Sequence, residues 1–208
     1  METGQEDRAR TQLELALKLD KDFPGNDEAR SALSVLAIDP ATAGAPAKAA
    51  LEAAIAKKSD DPGATVRLAA ILEREGNADK ALALVEAALK SNPSNSSAAL
   101  LAIRIYRAKK DTTKALELAK ATRQLAPSDG RISHVLGRLT FENGDRASAV
   151  GILQDANRRL SGDPEVLFDL GEAAYSIGQL SVTESSYREA LQVSPNFPRA
   201  KQARATLD

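Results

Sequence analysis

The sequence returns to itself at a fixed spacing. Leu136-Gly137 is answered by Leu170-Gly171, Gly144 by Gly178 and Ala156 by Ala190, each at an offset of 34 residues. This period constrains the fold more than any single motif does. A unit that short cannot bury its own apolar face, so successive units must stack and share one core. Windows of 34 residues begin at Glu28, Pro62, Ser96, Gly130 and Pro164.

Inside each window apolar residues recur at helical spacing on both sides of a central turn. The spacing predicts helices over 63–74, 79–90, 96–108, 114–125, 131–142, 146–160, 165–176 and 181–193, and a last one over 198–206. The earlier part is less regular, with helices expected over 2–22, 28–38 and 47–58. Pro24-Gly25-Asn26 and Asp39-Pro40 break it, residues 41–46 read as a loop of small residues, and Asp61 is placed to cap a helix that carries Pro62 in its first turn. No segment alternates apolar and polar residues as a strand does.

The positions that recur have physical roles. Gly76, Lys110, Gly144 and Gly178 share the central turn, where the end of a helix often needs a positive φ. Ala81, Ala115, Ala149 and Thr183 form one row, and Ala88, Thr122, Ala156 and Ala190 another. Small side chains there let the two helices of a window cross closely. Pro93, Pro127, Ser161 and Pro195 follow the second helix and stop it.

The pattern resembles the tetratricopeptide repeat family, whose 34-residue unit pairs Leu-Gly and Tyr in its first helix with Ala, Phe, Ala and Pro in its second. The last window carries the resemblance best, with Leu167, Leu170-Gly171, Tyr187, Ala190 and Pro195. The window before it has Leu136-Gly137, Ala149, Leu153 and Ala156. The window from Ser96 keeps Tyr106, Ala115 and Pro127 but has Ala102-Ile103 in place of Leu-Gly. The window from Pro62 has Leu68-Ala69, Leu72, Ala81, Val85, Ala88 and Pro93, and the one from Glu28 departs most.

The resemblance implies an all-α fold, a right-handed superhelical solenoid of antiparallel helix pairs. It divides the chain into the second helix of a truncated repeat (1–27), a divergent repeat (28–61), repeats at 62–95, 96–129, 130–163 and 164–197, and a C-terminal capping helix (198–208). Met1, the only methionine, reads as an added start on an excised fragment.

Composition narrows the chemistry. There is one histidine, His134, and no cysteine, so no thiolate or multi-histidine metal site and no disulfide is expected. No nucleophile–base constellation supports catalysis, and no cofactor motif is present. A formal net charge of −1 lacks the basic excess of a nucleic-acid binder. No apolar run is long enough to span a bilayer.

What remains is a binding surface. The resemblance implies that the second, fifth, ninth and twelfth places of each window face a concave groove. Those places hold Gly63, Val66, Ala70 and Glu73, then Ser97, Leu100, Arg104 and Arg107. They continue with Arg131, His134, Arg138 and Phe141, then Glu165, Phe168, Glu172 and Tyr175. The candidate peptide site is therefore Arg104, Arg107, Arg131, His134, Arg138, Phe141, Phe168, Glu172 and Tyr175. Arginine forks bind carboxylates in pairs of hydrogen bonds, which suits an acidic or C-terminal segment of a protein partner. The alternative is that these arginines pair with nearby Glu and Asp or simply solvate the face. Arg104 and Arg138 stand where the carboxylate-clamp repeats carry Asn, so that role is not assigned.

The expected function is a non-catalytic scaffold for protein–protein interaction. The Ala-rich repeats resemble segments of long bacterial arrays, including those of exopolysaccharide secretion and exosortase sorting, which implies a periplasmic or envelope-associated site; the runner-up in the same class is a cytoplasmic assembly adaptor. A different class is a polysaccharide-binding module with Phe141, Phe168 and Tyr175 as stacking faces. A nucleic-acid role for the arginines predicts a steep loss of affinity with salt.

Overall fold

A computed structural model describes residues 4–19, 23–57 and 61–208. Among the described residues the secondary structure is helical throughout. The helices are α1 Gly4–Leu19, α2 Asn26–Leu36, α3 Ala45–Lys57, α4 Pro62–Arg74, α5 Ala78–Ser91 and α6 Ser96–Ala108. They continue with α7 Thr112–Leu125, α8 Gly130–Glu142, α9 Arg146–Arg159, α10 Pro164–Tyr175, α11 Leu180–Val193 and α12 Ala200–Leu207. The chain divides into two compact units that part between residues 101 and 102, within α6. No described helix is long and apolar enough to cross a membrane.

The period is written into the helix starts. First helices begin at Pro62, Ser96, Gly130 and Pro164, and second helices at Ala78, Thr112, Arg146 and Leu180, so each series steps by 34. Two kinds of residue enforce this. Asp61, Asn95, Asp129 and Asp163 precede the first helices at the same step. Their side chains accept from the amides of Ala64 at 2.9 Å, Ala98 at 3.1 Å, Arg131 at 3.0 Å and Glu165 at 2.9 Å. Each satisfies a backbone donor that the helix itself leaves unpaired. At the central turns Gly76, Lys110, Gly144 and Gly178 take φ of 82°, 62°, 92° and 77°. Lys110 is the non-glycine residue there.

Helix pairs close over small residues. A β-carbon on Gly137 would stand 2.7 Å from Leu153 Cγ, and one on Gly171 would stand 2.5 Å from the Tyr187 ring. Ala81, Ala115, Ala149 and Thr183 are buried, as are Thr122, Ala156 and Ala190, while Ala88 is half-buried. In the second unit Leu167, Phe168, Tyr187, Ala190, Phe197, Ala200 and Ala203 form one core cluster. It brings α12 onto α10 and α11.

The first unit departs from the expected spans. α2 starts earlier than expected, behind Gly25 in the left-handed region at φ 99°, and ends at Leu36. Beyond it the Asp39 carboxylate accepts from the Ala41 amide at 2.9 Å and folds a turn that a helix cannot continue. α3 takes Pro46 into its first turn, where a missing N–H costs nothing, so Pro46 is helix and not loop. Of the expected helix over 2–22, residues 4–19 form α1, and residues 1–3, 20–22 and 58–60 lie outside the described residues.

Candidate functional site

In the second unit the first helices α8 and α10, the end of α6 and the start of α12 carry a ladder of charged side chains. Asp169 on α10 is its hub and is only 4% exposed. His134 Nε2 lies 2.7 Å from one of its oxygens, Arg138 Nη1 donates to the other at 3.1 Å, and Arg199 donates to that same oxygen. Burial works against the Asp169 carboxylate, yet the hydrogen bonds from His134 and Arg199 outweigh it and hold the group below its ordinary pKa.

From this hub the ladder runs both ways. Arg138 pairs with Glu172 on α10 and donates to Glu142 at 3.1 Å. Glu142 also accepts from Arg107 at 2.8 Å. On the other side Arg199 Nε donates to Glu165 at 2.9 Å. Most of these pairs are separated by 34 or 35 residues, the distance from one first helix to the next. The change of sign between the window from Gly130 and the window from Pro164 is therefore an internal pairing scheme.

The structure places the candidate residues unequally. Arg131 folds back on Asp129, the cap of its own helix, at 2.7 Å. Arg104 and Arg107 have exposed side chains. Phe141 is half-buried, with the Arg138 guanidinium 5.5 Å from its ring centre. Tyr175 is 57% exposed. Phe168 corrects the expectation of an accessible aromatic face. It is 4% exposed, its ring centre lies 5.1 Å from that of Tyr187, and Arg199 covers it at 4.2 Å. The docking of α12 seals it.

Several charged groups were missed from sequence, among them the hub Asp169 and the bridging Glu142. Arg199 sits at the second place of one further window, 34 residues after Glu165, and extending the register would have found it. Asp155 on α9 is a second hub, accepting from Ser133 at 3.1 Å, Arg159 at 3.0 Å and Arg123 at 3.2 Å. The hydrogen bond from Arg159 leads the effects that hold its pKa below the ordinary value. Among the described residues no group of three or more His, Asp or Glu is placed to hold a metal ion.

The first unit presents a different face. Arg67 is buried and donates to the Ile38 carbonyl at 3.2 Å, and Arg74 donates to the carbonyls of Pro40 and Ala43. These arginines close the ends of the loop at 37–44 and are spent on backbone.

Residues 44–102 and 72–139 match the family model of the tetratricopeptide repeat. These matches run from residue 44 to residue 139, a little under half of the chain, and mark a likeness to that repeat. Solved structures extend the likeness in fold to the rest of the chain. A thermophilic tetratricopeptide-repeat protein of Thermus thermophilus, TTC0263, is similar at TM-score 0.61 and 20% identity, over 97% of this chain and 98% of that one. YrrB, described as a tetratricopeptide-repeat protein with an unusual peptide-binding site, matches at TM-score 0.61 and 21% identity, over 76% and 83%. MamA from Desulfovibrio magneticus RS-1 matches at TM-score 0.59 and 15% identity, over 93% and 97%. No curated protein matches the sequence. The fold is thus a tetratricopeptide-repeat fold, all-α and made of stacked helix pairs.

Proposed function

We propose that this chain is a non-catalytic scaffold for protein–protein interaction, and that the ladder face of the second unit binds a peptide segment of the partner. The observation that carries this reading is the contrast within that face. Its centre is self-neutralised around Asp169, while Arg104, Arg107 and Tyr175 are exposed at its surface. Arg107, Phe141 and Tyr175 hold the same place in three successive windows. A segment lying along them would meet guanidinium groups at one end and ring faces at the other. Its acidic side chain or terminal carboxylate would exchange with Glu142 for Arg107, and an apolar side chain would cover Tyr175.

The peptide-binding description of YrrB supports a peptide as ligand for this fold. The polysaccharide reading loses Phe168 as a stacking face and keeps only Phe141 and Tyr175. A place in exopolysaccharide secretion or exosortase sorting rests only on the Ala-rich texture of the repeats.

The test is selection of peptides from a displayed random library on this chain, followed by titration of the selected peptide. Arg104→Glu with Arg107→Glu, and separately Tyr175→Ala, should each weaken binding about tenfold or more, since anchors of this kind dominate interface energies. Unchanged affinity in both variants, with helicity intact, would sink the reading.

A further inference from the structure

We propose that the trough between α1, α2 and α3 is a docking site for a basic amphipathic helix of a partner protein. This surface lies in the first unit and is independent of the ladder face. It is a cavity of about 740 Å³. Its floor is aliphatic and aromatic, made by Leu13 and Ala16 of α1, Phe23, Ala32 of α2 and Ala54 of α3.

The trough exists because the helix pair is not closed. α4 and α5 pack along their length, whereas α2 and α3 meet over a short stretch only. The loop at 37–44 separates them, and Ala16, Ala32 and Ala54 are too small to fill the gap. An open apolar trough walled by helices is the shape that accepts an amphipathic helix, with side chains at i, i+3, i+4 and i+7 entering it.

The rim decides the sign of the partner. Asp27 and Glu28 are exposed on it and make no ion pair among the described residues. Asp61 adds a third carboxylate, one oxygen of which caps α4. Among the described residues Lys57 is the cation that borders the same trough. The ladder of the second unit neutralises its carboxylates within the chain, whereas among the described residues Asp27 and Glu28 of this rim make no ion pair. Their position in the first turn of α2 suits the helix dipole, but the dipole alone leaves them charged and open to a partner. Lysine or arginine flanking an apolar helix face supplies the complement. Among the described residues the floor offers no converging buried polar groups of the kind that orient a small ligand.

The probe is a synthetic helix of leucine and lysine, about 14 residues or four turns long, with the same sequence carrying glutamate for lysine as control. Fluorescence anisotropy with the full chain should show the lysine peptide binding at least about tenfold more tightly than the glutamate peptide. Asp27→Lys with Glu28→Lys changes exposed side chains only and should lower affinity for the lysine peptide by about tenfold or more. Ala54→Trp, which fills the floor, should do the same. Equal binding of the two peptides, or full binding by the Asp27/Glu28 variant, overturns the proposal. A dimer in sedimentation that Ala54→Trp dissolves, without peptide binding, would assign the trough to a second copy instead.

Discussion

Arg199, at the start of α12, donates to Glu165 on α10 at 2.9 Å across 34 residues of sequence. One repeat earlier Arg138 on α8 pairs with Glu172 on α10 at the same separation. Successive first helices thus hold each other by opposite charges, and buried Asp169 ties both pairs together. The arginines that look like a ready site for an acidic ligand are largely committed within the chain. A partner must compete for them or use what is exposed at the edges.

Arg199 should therefore latch the C-terminal helix. Its Ala variant leaves Asp169 with two of three donors and uncovers Phe168. The expected cost is about 1–3 kcal/mol, as for a lost hydrogen bond to a charged group that retains other partners. The loss should be local, because each repeat touches mainly its neighbours. Hydrogen exchange is the measurement: amides of residues 200–207 should lose protection while those of α8 keep theirs. Equal protection in both helices would show that α12 is held by its apolar contacts alone.

Much of the fold was legible because the period is carried by backbone chemistry. Positive φ at the central turns, small residues at crossings and proline after second helices are local requirements, and each leaves a residue type at a fixed offset. The caps Asn95, Asp129 and Asp163 follow the same rule as Asp61 and were readable at the same offset. The first unit was less legible because its helix ends depend on an Asx turn at Asp39 and on Pro46 being tolerated in a first turn. The face was legible by register but not by state. Which arginines are paired depends on side-chain reach between repeats, and the burial of Phe168 depends on α12 docking over it. Neither has a signature within one window.

Lys110 offers a test of the turn chemistry. It holds φ 62° at the place that Gly76, Gly144 and Gly178 hold. A side chain in the left-handed region costs roughly 1–2 kcal/mol, partly offset in a glycine variant by the greater freedom of its unfolded chain. Lys110→Gly should raise stability by about 0.5–1 kcal/mol. The urea midpoint should rise with the slope unchanged. A lower midpoint would mean that the Lys110 side chain contributes contacts worth more than the strain.

Two helical glycines should respond in opposite directions to the same change. Gly171 faces the Tyr187 ring, and an added β-carbon would fall 2.5 Å from it. Gly151 lies exposed within α9, where an added β-carbon meets nothing within 4 Å. Gly171→Ala forces α10 from α11 and should destabilise by about 1–3 kcal/mol. Gly151→Ala gains helix propensity and should stabilise by about 0.5–1 kcal/mol. Thermal melts of the two variants against the parent decide it. A neutral Gly171→Ala would show that the two helices can slide apart without loss.

The buried carboxylates set the acid limit of the second unit. Asp155 and Asp169 both have folded pKa values below the ordinary 3.8. A carboxylate depressed in this way stabilises the fold fully above its unfolded pKa, and the contribution fades as pH falls through the folded value. Stability should hold from neutral pH down to about 4 and then decline. Asp169→Asn keeps the shape but removes the charge that His134, Arg138 and Arg199 face. The variant should be less stable than the parent at neutral pH, and the gap should narrow as the parent's own carboxylate protonates. Urea midpoints measured across the acid range supply the comparison. A gap that stays constant through the acid range would mean that Asp169 acts by its shape and not by its charge.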